Sequence, residues 1–203
     1  MDKKNNTNPA FQLRKYSFKR KFFKLFGARL TVFDSEGNNL MFSPKRMLEP
    51  QKEFVIYENK NKDKIILKIK TSDIIDNNQM FIITDGSENT IGMIQKRISG
   101  SVFKDEWMIF TDKNEKIGII KELSAARALF SKLMHIIPQK YTVETEGRPK
   151  NLVAKIHQHF NILVLKLTLN IIQPFPSLDT RLLVAAGIIL CAVERRQTGF
   201  QVV

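Results

Sequence analysis

One pattern recurs through the middle of the chain: two or three apolar or aromatic positions, an acidic or polar turn, then a second apolar run ending near a Lys or Arg. That is the signature of a repeated β-hairpin. The copies read LTVFDSEGNNLMFSPKR from Leu30, FVIYENKNKDKIILKIK from Phe54, FIITDGSENTIGMIQKR from Phe81, WMIFTDKNEKIGIIKE from Trp107 and, more loosely, YTVETEGRPKNLVAKIH from Tyr141. With Val32, Ile56, Ile83, Ile109 and Val143 as equivalent points the spacings are 24, 27, 26 and 34 residues, room for two strands and two turns per unit. The turns use residues that bend the backbone cheaply: Asp34 with Gly37 and Asn38, Asp85 with Gly86, Asp112 with Asn114. After the turns the period is two. Ile65, Leu67 and Ile69 alternate with Ile66, Lys68 and Lys70, and Leu163, Leu165, Leu167 and Leu169 with Val164, Lys166, Thr168 and Asn170. Each strand therefore offers the core one face and water the other. Five hairpins, with further strands near Tyr16 to Phe22 and Ile162 to Ile171, bring the count to about twelve.

The C-terminal pattern is different. Leu182 to Val193 (LLVAAGIILCAV) is apolar without a break, fenced by Arg181 on one side and by Glu194, Arg195 and Arg196 on the other. A helix with no polar stripe must be surrounded on all sides. Its length of about 18 Å is well short of the roughly 30 Å of a bilayer's hydrocarbon core, so the expected surroundings are protein. A sheet of about twelve strands with an apolar face accounts for both features by closing around the helix, which also removes its edges. The predicted fold is mainly β: a closed antiparallel barrel of about twelve strands around a central hydrophobic C-terminal helix, with Pro174 and Pro176 marking the turn into it. A second helix is predicted from Ser124 to Ile136, with Ser124 as N-cap and Pro138 beyond its end.

At 203 residues and 43% hydrophobic content, the chain suits one domain with a full core. Residues 1–13, polar and interrupted by Pro9, are expected to form a loose tail, with one domain over 14–203. The single cysteine, Cys191, falls inside the apolar helix, so it is read as packing, and no disulfide-linked partner is expected. The opening MDKKNNTNPAFQLRKY has no apolar stretch of the secretory-signal kind, which predicts a cytoplasmic protein, peripheral at most on the inner membrane surface.

Charge changes the picture more than composition does. The net charge is +13, and residues 1–30 alone hold nine Lys/Arg against Asp2. Such a balance points to an anionic partner. Seven of those cations, Arg14, Lys15, Lys19, Arg20, Lys21, Lys24 and Arg29, are interleaved with Tyr16, Phe18, Phe22, Phe23 and Phe26 and interrupted by no acid. Lys and Arg meet anionic headgroups while aromatics favour the membrane interface; the same composition serves nucleic acid through phosphate contacts and stacking. On a strand it would also arise simply from aromatics facing the core and cations facing water. Lys45 with Arg46 and Lys96 with Arg97 follow equivalent hairpins and would extend a basic patch if they share its side.

Catalytic signatures are missing: there is no Gly-x-Ser-x-Gly elbow and no phosphate-binding Gly-rich loop with Lys. His157 and His159 share a strand face, but no third ligand at suitable spacing accompanies them, so no metal or other cofactor is expected. The neighbours Asp105 and Glu106 would point to opposite faces of a strand, away from paired acid–base work.

The runs RKYSFKRKFFKLFGARLTVFDSEGN, KDEWMIFTDKNEKIGII and KLTLN and the ending LDTRLLVAAGIILCAVERRQ together resemble the bacterial branch of the tubby-like, LURP-one-related and phospholipid-scramblase-related superfamily, from about Arg14 to Gln197. Where family members usually carry Asn-Pro-Phe before the last strand, this chain reads Asn161, Ile162, Leu163. The resemblance implies a twelve-stranded barrel around a helix at about 178–197, and a binding module more than an enzyme. It implies recognition of anionic phospholipid headgroups, phosphoinositides among them, through the basic residues above. A scramblase-like lipid transporter, or an intracellular structural or regulatory module with a protein or nucleic-acid partner, remains the alternative.

Overall fold

The computed structural model describes residues 8–23, 27–44, 53–61, 63–72, 78–97, 106–123, 138–159 and 164–193. Twelve strands run in chain order: β1 (Lys15–Phe23), β2 (Gly27–Phe33), β3 (Asn39–Ser43), β4 (Glu53–Tyr57), β5 (Ile65–Thr71), β6 (Asn78–Asp85), β7 (Thr90–Arg97), β8 (Glu106–Thr111), β9 (Lys116–Glu122), β10 (Lys140–Thr145), β11 (Leu152–His159) and β12 (Val164–Ile171). Each pairs antiparallel with its sequence neighbours, and β1 pairs with β12 to close the barrel. The helix α1 (Thr180–Val193) follows.

The five predicted hairpins are β2–β3, β4–β5, β6–β7, β8–β9 and β10–β11. Their equivalent residues, Val32, Ile56, Ile83, Ile109 and Val143, are all 0% exposed and point into the barrel. A β-bulge follows immediately after every one of them. A bulge bends its strand and increases the local twist, which is how a long sheet curls into a closed wall. Two residues beyond four of the five equivalent points, a polar side chain opens the turn; after Ile56 the turn bond comes one residue later, from Asn61 N to Asn59 Oδ1. Asp34 Oδ1 accepts from the Glu36 and Asn38 N–H groups, and Asp85 Oδ1 from those of Ser87 and Asn89. Thr111 Oγ1 does the same for Lys113 and Glu115, and Thr145 Oγ1 for Asn151.

Inside, α1 is enclosed as predicted. Every residue from Leu182 to Ala192 is buried. Asp179 starts the helix: its Oδ1 accepts from Arg181 N at 2.8 Å, and the Arg181 guanidinium bonds both of its oxygens. The helix begins at Thr180 rather than near 178, because Leu178 belongs to a turn bridged to Phe175. The expected extension to 197 and the predicted helix over 124–136 lie outside the described residues.

The loose tail needs correction over its described part. Pro9–Phe11 forms a 3-10 turn capped by Asn8, whose side chain accepts from Ala10 N and donates to Glu58 Oε1. Phe11 is 3% exposed and belongs to the core. An aromatic three residues after a capping Asn is a short apolar plug, a signal that the polar composition around it obscures.

Tyr16, at the start of β1, is fully buried, and its hydroxyl accepts from Leu13 N at 3.1 Å. Burial pushes its phenol from 10.0 up to about 12, against a smaller opposing effect of the Leu13 N–H. The folded state therefore holds this proton more tightly than the unfolded chain. The stabilisation is fully present below pH 10 and is lost as pH rises towards 12, about 2–3 kcal/mol in all. Urea midpoints measured from pH 9 to 12 should fall more steeply for the parent than for Tyr16→Phe; parallel curves would show that the phenol is not the group responsible.

Candidate anion-binding surface

Strand parity decides which cations of the N-terminal segment can meet a ligand. On β1, Tyr16, Phe18 and Arg20 face the barrel interior, while Lys15, Ser17, Lys19 and Lys21 face out. Arg20, expected among the ligand-binding cations, is 0% exposed. Its Nη1 donates to the Cys191 carbonyl at 2.8 Å and to the Ala192 carbonyl at 2.6 Å, at the last turn of α1. It belongs to the core, not to the binding face.

The other expected residues divide by position. Arg14, Lys15, Lys21 and Arg29 are exposed and Lys19 is half-buried, all on or beside β1 and β2. Lys96 and Arg97 are on β7, six strands from β1 in either direction around the barrel, so they do not join this patch. They do not even share a face: Arg97 is exposed, whereas Lys96 places its Nζ 5.1 Å from the ring of the fully buried Trp107. Lys24, Lys45 and Arg46 lie outside the described residues.

Closure supplies residues that the linear reading does not assign. Because β12 abuts β1, Lys166 stands directly opposite Lys19, and Lys21 stands directly opposite Arg29 on β2. Next along the wall, His159 on β11 opposes Lys166 and His157 opposes Thr168. The wet-face position of Lys166 is readable from its alternation with leucines; its meeting with Lys19 requires the barrel to be closed. Like charges placed directly opposite on adjacent strands are unfavourable. Among the described residues, Lys15, Lys19, Lys21 and Lys166 form no ion pair that would offset this. Lys19 instead lays its Nζ 4.4 Å above the Phe33 ring, a cation–π contact.

Two shallow concavities meet at Lys19 and Phe33. One, about 640 Å³, has Phe33, Phe42 and Pro44 for its apolar part and Lys19, Lys21, Arg29 and Lys60 for its cations. The other, about 480 Å³, holds Lys15, Lys19, Lys166 and both histidines, with Asp34 and Glu36 on its far wall. Asp34 is held below the usual carboxylate range by the Asn38 side-chain amide, helped by backbone donors of its own turn. The imidazoles of His157 and His159 meet edge to face with ring centres 4.9 Å apart, and His159 Nε2 is 2.7 Å from Thr168 Oγ1. Partial burial lowers the His159 affinity for a proton, and His157, Lys166 and Lys15 lower it further. No group of three or more His, Cys, Asp or Glu able to hold a metal occurs among the described residues.

The fold and this face together define a closed antiparallel barrel, built around one apolar helix, whose wall carries a cationic concavity with aromatic flanks. Comparison with known proteins finds no matching family model and no matching curated protein. Among solved structures, that of a protein from Arabidopsis thaliana is similar, with 12% sequence identity, a TM-score of 0.48, and 89% of this chain and 93% of that one covered.

Proposed function

We propose that the chain is a non-enzymatic binding module of the tubby-like and scramblase-related type, which recognises anionic phospholipid headgroups at a membrane surface through the outer face of β2, β1, β12 and β11. One observation carries this reading: the cross-strand pair Lys19–Lys166 puts like charges face to face where two concavities meet. That arrangement costs folding energy unless an anion occupies it. Phe33 and Phe42 beside the cations suit the boundary between headgroup and acyl chain. Enclosure of α1 inside the barrel favours binding over transbilayer transport, because the helix has no free surface to offer a lipid path.

The test is co-sedimentation with anionic vesicles. Replacing Lys15, Lys19, Lys21 and Lys166 with Gln should weaken binding by roughly 3–4 kcal/mol, at about 1 kcal/mol per cation near a charged surface. Thermal stability should be equal to the parent's or up to about 1 kcal/mol higher, since the substitutions remove facing like charges. Added salt should weaken the parent's binding in the same way. Tighter binding to duplex DNA at matched salt would transfer the face to nucleic acid. Rapid movement of labelled lipid between leaflets would favour transport, and retention of vesicle binding by the quadruple variant would remove the proposal.

A further inference from the structure

We propose that the concavity of Lys15, Lys19, Lys166, His157 and His159 receives one phosphomonoester group, and that His159 takes up a proton from solvent as it binds. This rests on the reading of the outer wall as an anion-recognition face.

The geometry supports the proton step. Three lysines against Asp34 and Glu36 give this hollow a single net positive charge before any imidazole is counted, and one proton on His159 doubles it. The groups facing the pair are Lys15 and Lys19 from β1, Lys166 from β12, Lys140 opposite His157 on β10, Lys155 on the same strand, and the two acids of the β2–β3 turn. The cations among them dominate, so in the empty site a proton on His159 is disfavoured by burial first and by its neighbours second. A dianion placed between Lys19, Lys166 and His159 reverses the sign of that field. The Thr168 hydroxyl can follow the change, because it donates to a neutral Nε2 or accepts from a protonated one by rotation alone. The His157 ring meets His159 edge to face with ring centres 4.9 Å apart, so it lines the hollow beside the imidazole that receives the proton.

A phosphomonoester is favoured over a phosphodiester because only the monoester carries about −1.5 to −2 charge near neutral pH, enough to engage the facing lysines and a protonated imidazole together. The group can arrive on a lipid headgroup or as free phosphate. In either case affinity should rise as pH falls through the imidazole range, until the phosphate itself becomes protonated.

The experiment uses the intact 203-residue chain with four probes: inorganic sulfate, a dianion that does not titrate in this range, inorganic phosphate, and vesicles containing either phosphatidic acid or phosphatidylglycerol. Histidine ring proton shifts are followed against pH with and without each probe. With sulfate or phosphate, the His159 titration should move to higher pH, and sulfate affinity should rise several-fold, up to about tenfold, as pH falls from 8 to 5.5. In His157→Gln/His159→Gln that pH dependence should vanish while residual binding persists through the lysines. If only phosphatidic acid vesicles move the histidines, the monoester must come on a lipid, and the proposal stands in that form. Equal binding of both vesicle types with unmoved histidines would overturn it and leave the anionic-surface reading intact. Absence of binding to every probe would overturn both.

Discussion

Replacing Gly187 with alanine is expected to destabilise the barrel by about 1–3 kcal/mol, although the same change in an unobstructed helix stabilises by about 1 kcal/mol. A Cβ at this position would lie 2.4 Å from Phe18 Cζ, 2.6 Å from Cε2 and 3.0 Å from Cε1. Such contacts require the ring to move. Phe18 is fully buried on β1, opposite Val32 on one side and Leu167 on the other, both also buried, so a shift of the ring displaces other core side chains. A closed wall cannot open at one strand without breaking ladder bonds on both sides. Gly187→Leu should therefore be more severe than the alanine change. At roughly 2–4 °C per kcal/mol for a chain of this size, Gly187→Ala should melt several degrees below the parent. A second measurement separates overpacking from a helix effect: Phe18→Ala alone should cost about 3–5 kcal/mol, but in that background Gly187→Ala should be neutral or stabilising. A Gly187→Ala protein that melts at or above the parent temperature would show that the helix is not gripped as described.

What the linear pattern discloses and what it hides follow one physical rule. The alternation of Leu165, Leu167 and Leu169 with Lys166 and Asn170 identifies β12 and its wet face, whereas on β5 the register shift that skips Ile66 breaks the period and buries that residue, expected on the wet face with Lys68 and Lys70. Arg20 shows the limit. Parity along β1 puts it on the same side as Tyr16 and Phe18, so its inward direction is readable, but a cation in an apolar core runs against the usual cost of burying charge. What makes the position tolerable is the pair of helix-end carbonyls it meets, on residues more than 170 positions away. The grouping of Lys19 with Lys166 and His159, and the exclusion of Lys96 and Arg97, depend equally on long-range closure, for which short-range spacing holds no signal. The plug at Phe11 was hidden for the opposite reason, because one apolar residue among polar ones forms no period.

Arg20 also yields the sharpest separation between fold and function. Its guanidinium joins β1 to the final turn of α1 through the carbonyls of Cys191 and Ala192, at the end of the helix where the dipole favours a cation. Arg20→Met keeps most of the apolar stem but removes the donors, leaving those carbonyls without this partner inside the barrel. Hydrogen bonds to charged groups are worth about 1.5–3 kcal/mol, and unsatisfied buried acceptors cost a similar amount, so a loss of about 2–5 kcal/mol is expected. Lys19→Gln, one residue earlier on the opposite face, should change stability by no more than about 0.5 kcal/mol. Vesicle binding should reverse that order: at temperatures where both proteins are folded, Arg20→Met should bind like the parent, and Lys19→Gln more weakly. Salt extends the contrast, since screening acts on the exposed lysines and hardly reaches a contact sealed within the wall. Urea midpoints and vesicle titrations of the two variants at low and high salt provide the measurement. An Arg20→Met midpoint equal to the parent's would deny the bolt between strand and helix; an equally stable variant with weakened binding would return Arg20 to the outer face.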